Sequence, residues 1–455
     1  MKPPTLTFCG GCGGTTGSNY LLETETTKIL IDCGLHQGSS FGERHNYEPF
    51  PYDPRSINAV FITHGHVDHI GRLPQLVKAG LTCPIYSTPP TKDVAEFLLF
   101  DSEHLLHEEA KKKRHAPLYG MEDVGATLSI WRKVPYHEPI TIGDVTVTLY
   151  DAGHILGSAS ILVEAGGKRI VFSGDLGNMP EPLINPVEYF MDADYVLVES
   201  TYGGRVHEEL DRRRDILEDV IEDTAAAGGT LMIPAFALER TQELLFELNQ
   251  LIEHGRVPTV PVFIDSPLAI KLTAIYQKYA RDHTYFNEHA VQLIRDGEEI
   301  FNFPGLRLTL TTEESKQINE VPPPKVIVAG AGMSNGGRIL HHERRYFPDP
   351  KSAILFIGYQ GVGSLGRMVL DGAETVKIFG ETVAVRAKKY SLSGYSAHAD
   401  QPQLLRWVEP MRRSLTRVFV VQGDADQAEP LAQKIRDEFA VDAVIPSLGD
   451  RAVLS

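Results

Sequence analysis

The segment Thr63-His64-Gly65-His66-Val67-Asp68-His69 constrains this chain more than any other. It follows an apolar run, residues 59–62, that reads as a β-strand, and it precedes an apparent helix. Four potential ligands, His64, His66, Asp68 and His69, stand within six residues at a strand end, so they can converge on one or two ions without help from distant parts of the chain. Imidazole nitrogen and carboxylate oxygen are donors that Zn²⁺ accepts. The bland alternative is a polar loop that is His-rich by chance. Further residues weaken it. Asp32 follows residues 29–31, His154 follows 145–150, Asp175 follows 170–172 and Glu199 follows 195–198. Each lies just past the carboxyl end of an apolar run, where rigid sheets present functional groups. Alone, Asp32, Asp175 or Glu199 reads as a turn residue. Their repetition beside the histidine segment makes them candidate site residues.

The chain has 455 residues, 42% of them apolar and 23% charged, which suits a soluble globular protein of two or three domains. No stretch approaches the ~18 consecutive apolar residues of a membrane helix. The start, Met1 to Phe8, has one charged side chain and no apolar run of signal-peptide length. The expectation is a cytoplasmic protein without a membrane partner. Four cysteines, Cys9, Cys12, Cys33 and Cys83, do not make a disulfide framework in so long a chain. Cys9-Gly10-Gly11-Cys12 has CxxC spacing but no second pair to complete a metal site, and reads as a Gly-rich turn. A formal net charge of −16 argues weakly against a nucleic-acid partner, whose phosphates call for Lys and Arg. Basic clusters occur at 111–114, 212–214, 341–345 and 388–389, and each reads more readily as a solvated helix face than as a binding patch.

Up to about residue 200 the chain alternates short apolar runs with turn signals, at 28–31, 59–62, 145–150, 169–172 and 195–198. From about Arg205 the texture becomes helix and strand in alternation. Residues 211–227 and 238–254 have helical periodicity, and Ser266-Pro267 supplies an N-cap and first-turn proline for a helix through Tyr279. Strands are expected at 230–233, 260–264, 326–329 and 353–357, with Pro322-Pro323-Pro324 as an internal linker. Such alternation predicts a parallel sheet flanked by helices. After about Val385 the texture returns to strand and turn, at 390–392 and 418–421, with a last helix over 427–439.

These motifs resemble the metallo-β-lactamase superfamily and, within it, the β-CASP nucleases that process RNA or DNA. The resemblance runs from about Leu6 to Asp424. It is carried by Asp32-Cys33-Gly34, the HxHxDH segment, Gly153-His154, Gly174-Asp175, Glu199-Ser200-Thr201-Tyr202-Gly203, Gly332 to Arg338 and Ser393 to Asp400. It implies an α/β fold, an αββα metallo-β-lactamase sandwich (1–204 and 386–455) interrupted by an α/β β-CASP domain (205–385). It also implies two zinc ions: one at His64, His66 and His154, a second at Asp68 and His69, with Asp175 bridging them and Asp32 orienting a ligand. The family closes the second site with a histidine, where this chain has Gln422, so that site is expected to be weaker.

By the same resemblance a metal-bound hydroxide attacks the phosphorus of an RNA phosphodiester, leaving 5′-phosphate and 3′-hydroxyl ends. Asp68 counts among the catalytic residues. His398 is the general acid, held charged and oriented by Glu199. Ser334, Gly336, Gly337, Arg338 and Ser396 are candidate phosphate contacts, and Tyr202 a candidate cleft residue. The implied partner is single-stranded RNA, in a chain similar to ribonuclease J and to the cleavage and polyadenylation nuclease subunit. DNA as substrate and a homodimer both stay open. Two other functional classes compete: a small-molecule metallo-hydrolase on the same scaffold, and a catalytically silent RNA-binding subunit.

Overall fold

The computed structural model describes residues 2–38, 43–207, 212–358, 360–361, 363–392 and 395–455. Ser393 and Gly394 of the late motif, and Asp211 at the expected start of a helix, lie outside the described residues. The chain forms two compact units: Met1–Glu181 with Asn185–Val206 and His398–Ser455, and Pro182–Ile184 with His207–Ala397.

The first unit is a sandwich of two seven-stranded sheets. One runs in the order Arg451–Val453, Thr5–Phe8, Tyr20–Glu23, Lys28–Ile31, Ala59–Phe61, Ile85–Ser87, Trp131–Lys133. The other runs Asp442–Val444, Arg417–Val421, Tyr195–Glu199, Lys168–Phe172, Ala159–Ala165, Val145–Asp151, Ile140–Ile142. Their inner faces meet through aromatic pairs, Phe8 with Phe419 at 5.1 Å and Tyr20 with Phe172 at 6.0 Å between ring centroids. Outer faces are covered by helices. Leu404, Trp407, Leu431 and Ile435, from Gln401–Val408 and Ala425–Phe439, pack into one buried cluster with Val196, Val198, Val418 and Val420 of the second sheet. The long helix Pro89–Lys113 starts at Thr88, whose side chain accepts from Thr91 N, and packs beside Trp131–Lys133 of the first sheet. This is the expected αββα arrangement. It brings the carboxyl ends of Lys28–Ile31 and Ala59–Phe61 in one sheet, and of Lys168–Phe172, Tyr195–Glu199 and Arg417–Val421 in the other, close together around one constellation of side chains.

The second unit holds a six-stranded, wholly parallel sheet in the order Leu306–Leu308, Val262–Asp265, Lys325–Ala329, Thr230–Pro234, Ala353–Phe356, Lys388–Ser391. Its central strands are buried along their whole length, as the continuous apolar runs Leu231 to Ile233 and Val326 to Val328 require of a sheet covered on both faces. Ser266 accepts from Ala269 N at 3.3 Å and caps Pro267–Tyr279, as its sequence announces. Lys388–Ser391, grouped by sequence texture with the closing segment, pairs with Ala353–Phe356 in this sheet. The strand reads ambiguously because only four residues long, with Lys388 and Ser391 exposed, it lacks the apolar run of its neighbours.

Candidate metal centre

The HxHxDH segment is fixed by its own backbone and by Asp32. Thr63 donates from its backbone N to Asp32 Oδ1 at 2.8 Å and from Oγ1 to Oδ2 at 2.9 Å, and Ala159 N donates to Thr63 O at 2.7 Å, tying the two sheets together. Ser18 N donates to Asp68 O at 2.9 Å. Gly34 lies against the same carbonyl: a Cβ there would stand 1.5 Å from Asp68 O, so no larger residue fits without moving the ligand loop. His154 is set by Ser158, whose Oγ accepts from His154 N at 3.0 Å and Ile155 N at 3.2 Å.

Held in this way, four donors converge. His64 Nε2 is 3.0 Å from His66 Nδ1, and His154 Nε2 is 3.3 Å from the same atom. Asp175 Oδ2 stands 3.4 Å from His64 Nε2 and 3.6 Å from His154 Nε2. Four ligands arranged tetrahedrally at zinc–nitrogen distance lie about 3.3 Å apart, so the donor set fits one such ion. His64 and His154 are fully buried and Asp175 nearly so. Burial pushes the His64 pKa well below its ordinary value, which keeps a lone pair available. Burial also works against charge on Asp175, but His69 and His64 outweigh it and hold the carboxyl well below the usual range.

The remaining residues separate by role. Asp32 Oδ2 is 2.7 Å from His69 Nδ1 and accepts from Ser18 Oγ at 3.0 Å, so it orients His69. His69 Nε2 is 3.9 Å from Asp68 Oδ2 and 3.4 Å from Asp175 Oδ1. Burial raises the Asp68 carboxyl to about 6. Gln422 Nε2 donates to Asp175 Oδ1 at 3.0 Å and lies 3.0 Å from His69 Nε2. His398 Nδ1 is 3.3 Å from both oxygens of the fully buried Glu199, which also accepts from Leu176 N at 2.7 Å and Thr201 N at 3.3 Å. Burial alone would lower the His398 pKa; Glu199 outweighs it and raises it to about 9. The His398 ring is 4.6 Å from that of His154 and a quarter exposed, and Tyr202 lies 6.2 Å from it.

Two of the expected phosphate contacts have partners inside the fold. Ser334 is completely buried and its hydroxyl donates to Glu343. Arg338 donates to Asp265 Oδ1 at 2.7 Å and to the carbonyls of Thr309 and Leu310, both at 3.0 Å. Sequence spacing carries no sign of such partners. Gly337 has φ 74° and a Cβ there would stand 2.3 Å from Gly330 O, so glycine is demanded by loop closure. Gly336 has open space around its Cα, and Ser396 is buried two residues before His398. Cys9 and Cys12 are free thiols in the turn after Thr5–Phe8, and Gly11 O between them accepts from Gln422 N at 2.8 Å. Sequence reading missed Ser18, Thr63, Ser158 and that turn as supports of the site, because Ser, Thr and Gly are too common for spacing to single them out.

The Metallo-beta-lactamase superfamily matches residues 12–219, the Beta-Casp domain 241–369 and the Zn-dependent metallo-hydrolase RNA specificity domain 382–446. Ribonuclease TTHA0252 of Thermus thermophilus is 38% identical over 92% of this chain and 93% of its own length. The chain belongs to the metallo-β-lactamase/β-CASP ribonuclease family. It is therefore a hydrolase by descent, with the metal-binding centre that the superfamily implies. Among other relatives, the transcription termination factor FttA of Methanosarcina mazei is 32% identical over 96% of this chain and 69% of its own length. A crystal structure of a protein of unknown function from Enterococcus faecalis shares the fold, with a TM-score of 0.57 and 13% identity over 99% of this chain and all of that one. No helix among the described residues is long and apolar enough to cross a membrane.

Proposed function

We propose that this chain hydrolyses phosphodiester bonds in single-stranded RNA at a zinc centre held by His64, His66, His154 and Asp175, leaving 5′-phosphate and 3′-hydroxyl ends. The observation that carries the reading is the four-donor cluster, its neighbouring donors 3.0 to 3.6 Å apart, standing beside a charged histidine that is partly open to solvent. When bound, the ion supplies a water of lowered pKa and positive charge against the phosphate oxygens. The chain's own residues do the rest. Glu199 engages His398 through Nδ1 and so orients the ring, whose Nε2 would supply the proton to the departing 3′-oxygen. Asp32 fixes the His69 ring, and Ser158 fixes the His154 backbone. RNA as the substrate is supported by the match to an RNA specificity domain and by the ribonuclease relative. The division into a sandwich domain and an insert over 205–385 is proposed as the functional one, the compact second unit running on to Ala397.

The test is incubation of zinc-loaded protein with 5′-labelled single-stranded RNA and with DNA of the same sequence. Cleavage of RNA that chelator abolishes and zinc restores is the expected result. Cleavage of DNA alone, or RNA cleavage indifferent to chelator, would defeat the proposal.

A further inference from the structure

Asp175 is shared unequally between two sides of the centre. Oδ2 faces His64 and His154 at 3.4 and 3.6 Å. Oδ1 faces the other way, accepting from Gln422 Nε2 at 3.0 Å and lying 3.4 Å from His69 Nε2. The same amide nitrogen is 3.0 Å from His69 Nε2. One amide nitrogen therefore stands at hydrogen-bond distance from both atoms that a second ion would need on this side.

The amide presents its nitrogen, and not its carbonyl oxygen, to Asp175 Oδ1. An amide nitrogen has no lone pair to give a metal. Gln422 is also held rigidly. It is 2% exposed, its backbone sits at φ 50°, its N donates to Gly11 O at 2.8 Å, and its O accepts from Thr201 Oγ1 at 3.2 Å. The residues around Asp68 and His69 therefore fit a hydrogen-bonded network and not a second ion.

We propose that this centre is mononuclear, with the Gln422 amide hydrogen-bonding across the place that a second ion would take. Gln422 is a positioning residue: by engaging Asp175 Oδ1 it turns Oδ2 to the three histidines. The inference rests on the zinc reading above for its single ion and is independent of the choice of RNA as substrate.

The test counts ions without substrate. Protein is stripped with chelator, reloaded with excess zinc, freed of unbound metal by gel filtration and measured by elemental analysis, with calorimetry of the same loading. Wild type is expected to hold about one ion per chain. Gln422→His and the isosteric Gln422→Glu are expected to hold about two, because each places a lone pair where an N–H stood. Two ions in wild type would overturn the proposal, whatever the variants do. One ion in all three proteins would overturn it too, since Gln422 would then not be what excludes the second. An RNase-inactive protein that binds one ion would sink the proposed function and leave this inference standing.

Discussion

His398 has a task that none of the four clustered donors can take, since their lone pairs converge on one point while its Nδ1 is engaged by Glu199. His398→Ala is expected to lower turnover by ~10²- to 10⁴-fold, the usual reach of general acid catalysis, with zinc content unchanged. Because Glu199 raises the His398 pKa, the wild-type rate should have an alkaline limb where that proton is lost, and the variant should lack it. Parallel loss of zinc and activity would assign His398 to the metal instead. In the second unit, Asp265 has a different role. Burial opposes its charge, but hydrogen bonds from His342, Ser315, Thr309 and Arg338 outweigh burial and hold the carboxyl below its ordinary range. A depressed carboxyl contributes stability above its unfolded pKa of about 3.9 that is lost as pH falls through the folded value. Asp265→Asn should therefore cost about 3–5 kcal/mol at neutral pH, the scale for breaking a buried pair, with the gap to wild type closing below about pH 4. Urea unfolding of both proteins across that range measures it, and a gap independent of pH would contradict it.

Among the elements, the loop from His64 to His69 depends on a neighbour that carries no chemistry. Gly34→Ala would push a methyl into Asp68 O, so it should reduce zinc retained after gel filtration while leaving the far-ultraviolet spectrum unchanged. Zinc retention equal to wild type would show that the loop yields more easily than its packing suggests. Much of this was legible in the sequence. Strand ends at Ile31, Ile62, Phe172 and Val198 stood out because apolar runs mark them, and ligand-type residues follow within three positions. The capping pair Ser266-Pro267 was equally plain. What the sequence did not show is where side chains spend their hydrogen bonds. Arg338 follows two glycines as a phosphate-binding arginine would, yet Asp265, more than seventy positions earlier, claims it. Gln422 reads as a missing histidine; only the geometry shows its amide in use against both Asp175 and His69.

For the whole molecule, a net charge of −16 must be reconciled with a polyanionic substrate. The basic clusters do not resolve this, since Lys111 pairs with Glu108, Lys113 with Glu43, Arg344 with Glu381 and Lys388 with Asp223. Surface pairs of this kind add little stability, but they leave fewer cations for phosphates. Binding of labelled single-stranded RNA to zinc-free protein should therefore weaken only modestly with salt, with a log–log slope of about −2 to −3, as for three or four phosphates. A slope steeper than about −5 would reveal a basic track. Hydrolysis itself is tested most directly by where the incoming oxygen goes. RNA cleaved by the zinc-loaded protein in oxygen-18 water should yield fragments whose 5′-phosphates carry the heavy isotope, with unlabelled 3′-hydroxyl ends. Fragments ending in 2′,3′-cyclic phosphate, with no heavy oxygen at either new end, would contradict the account.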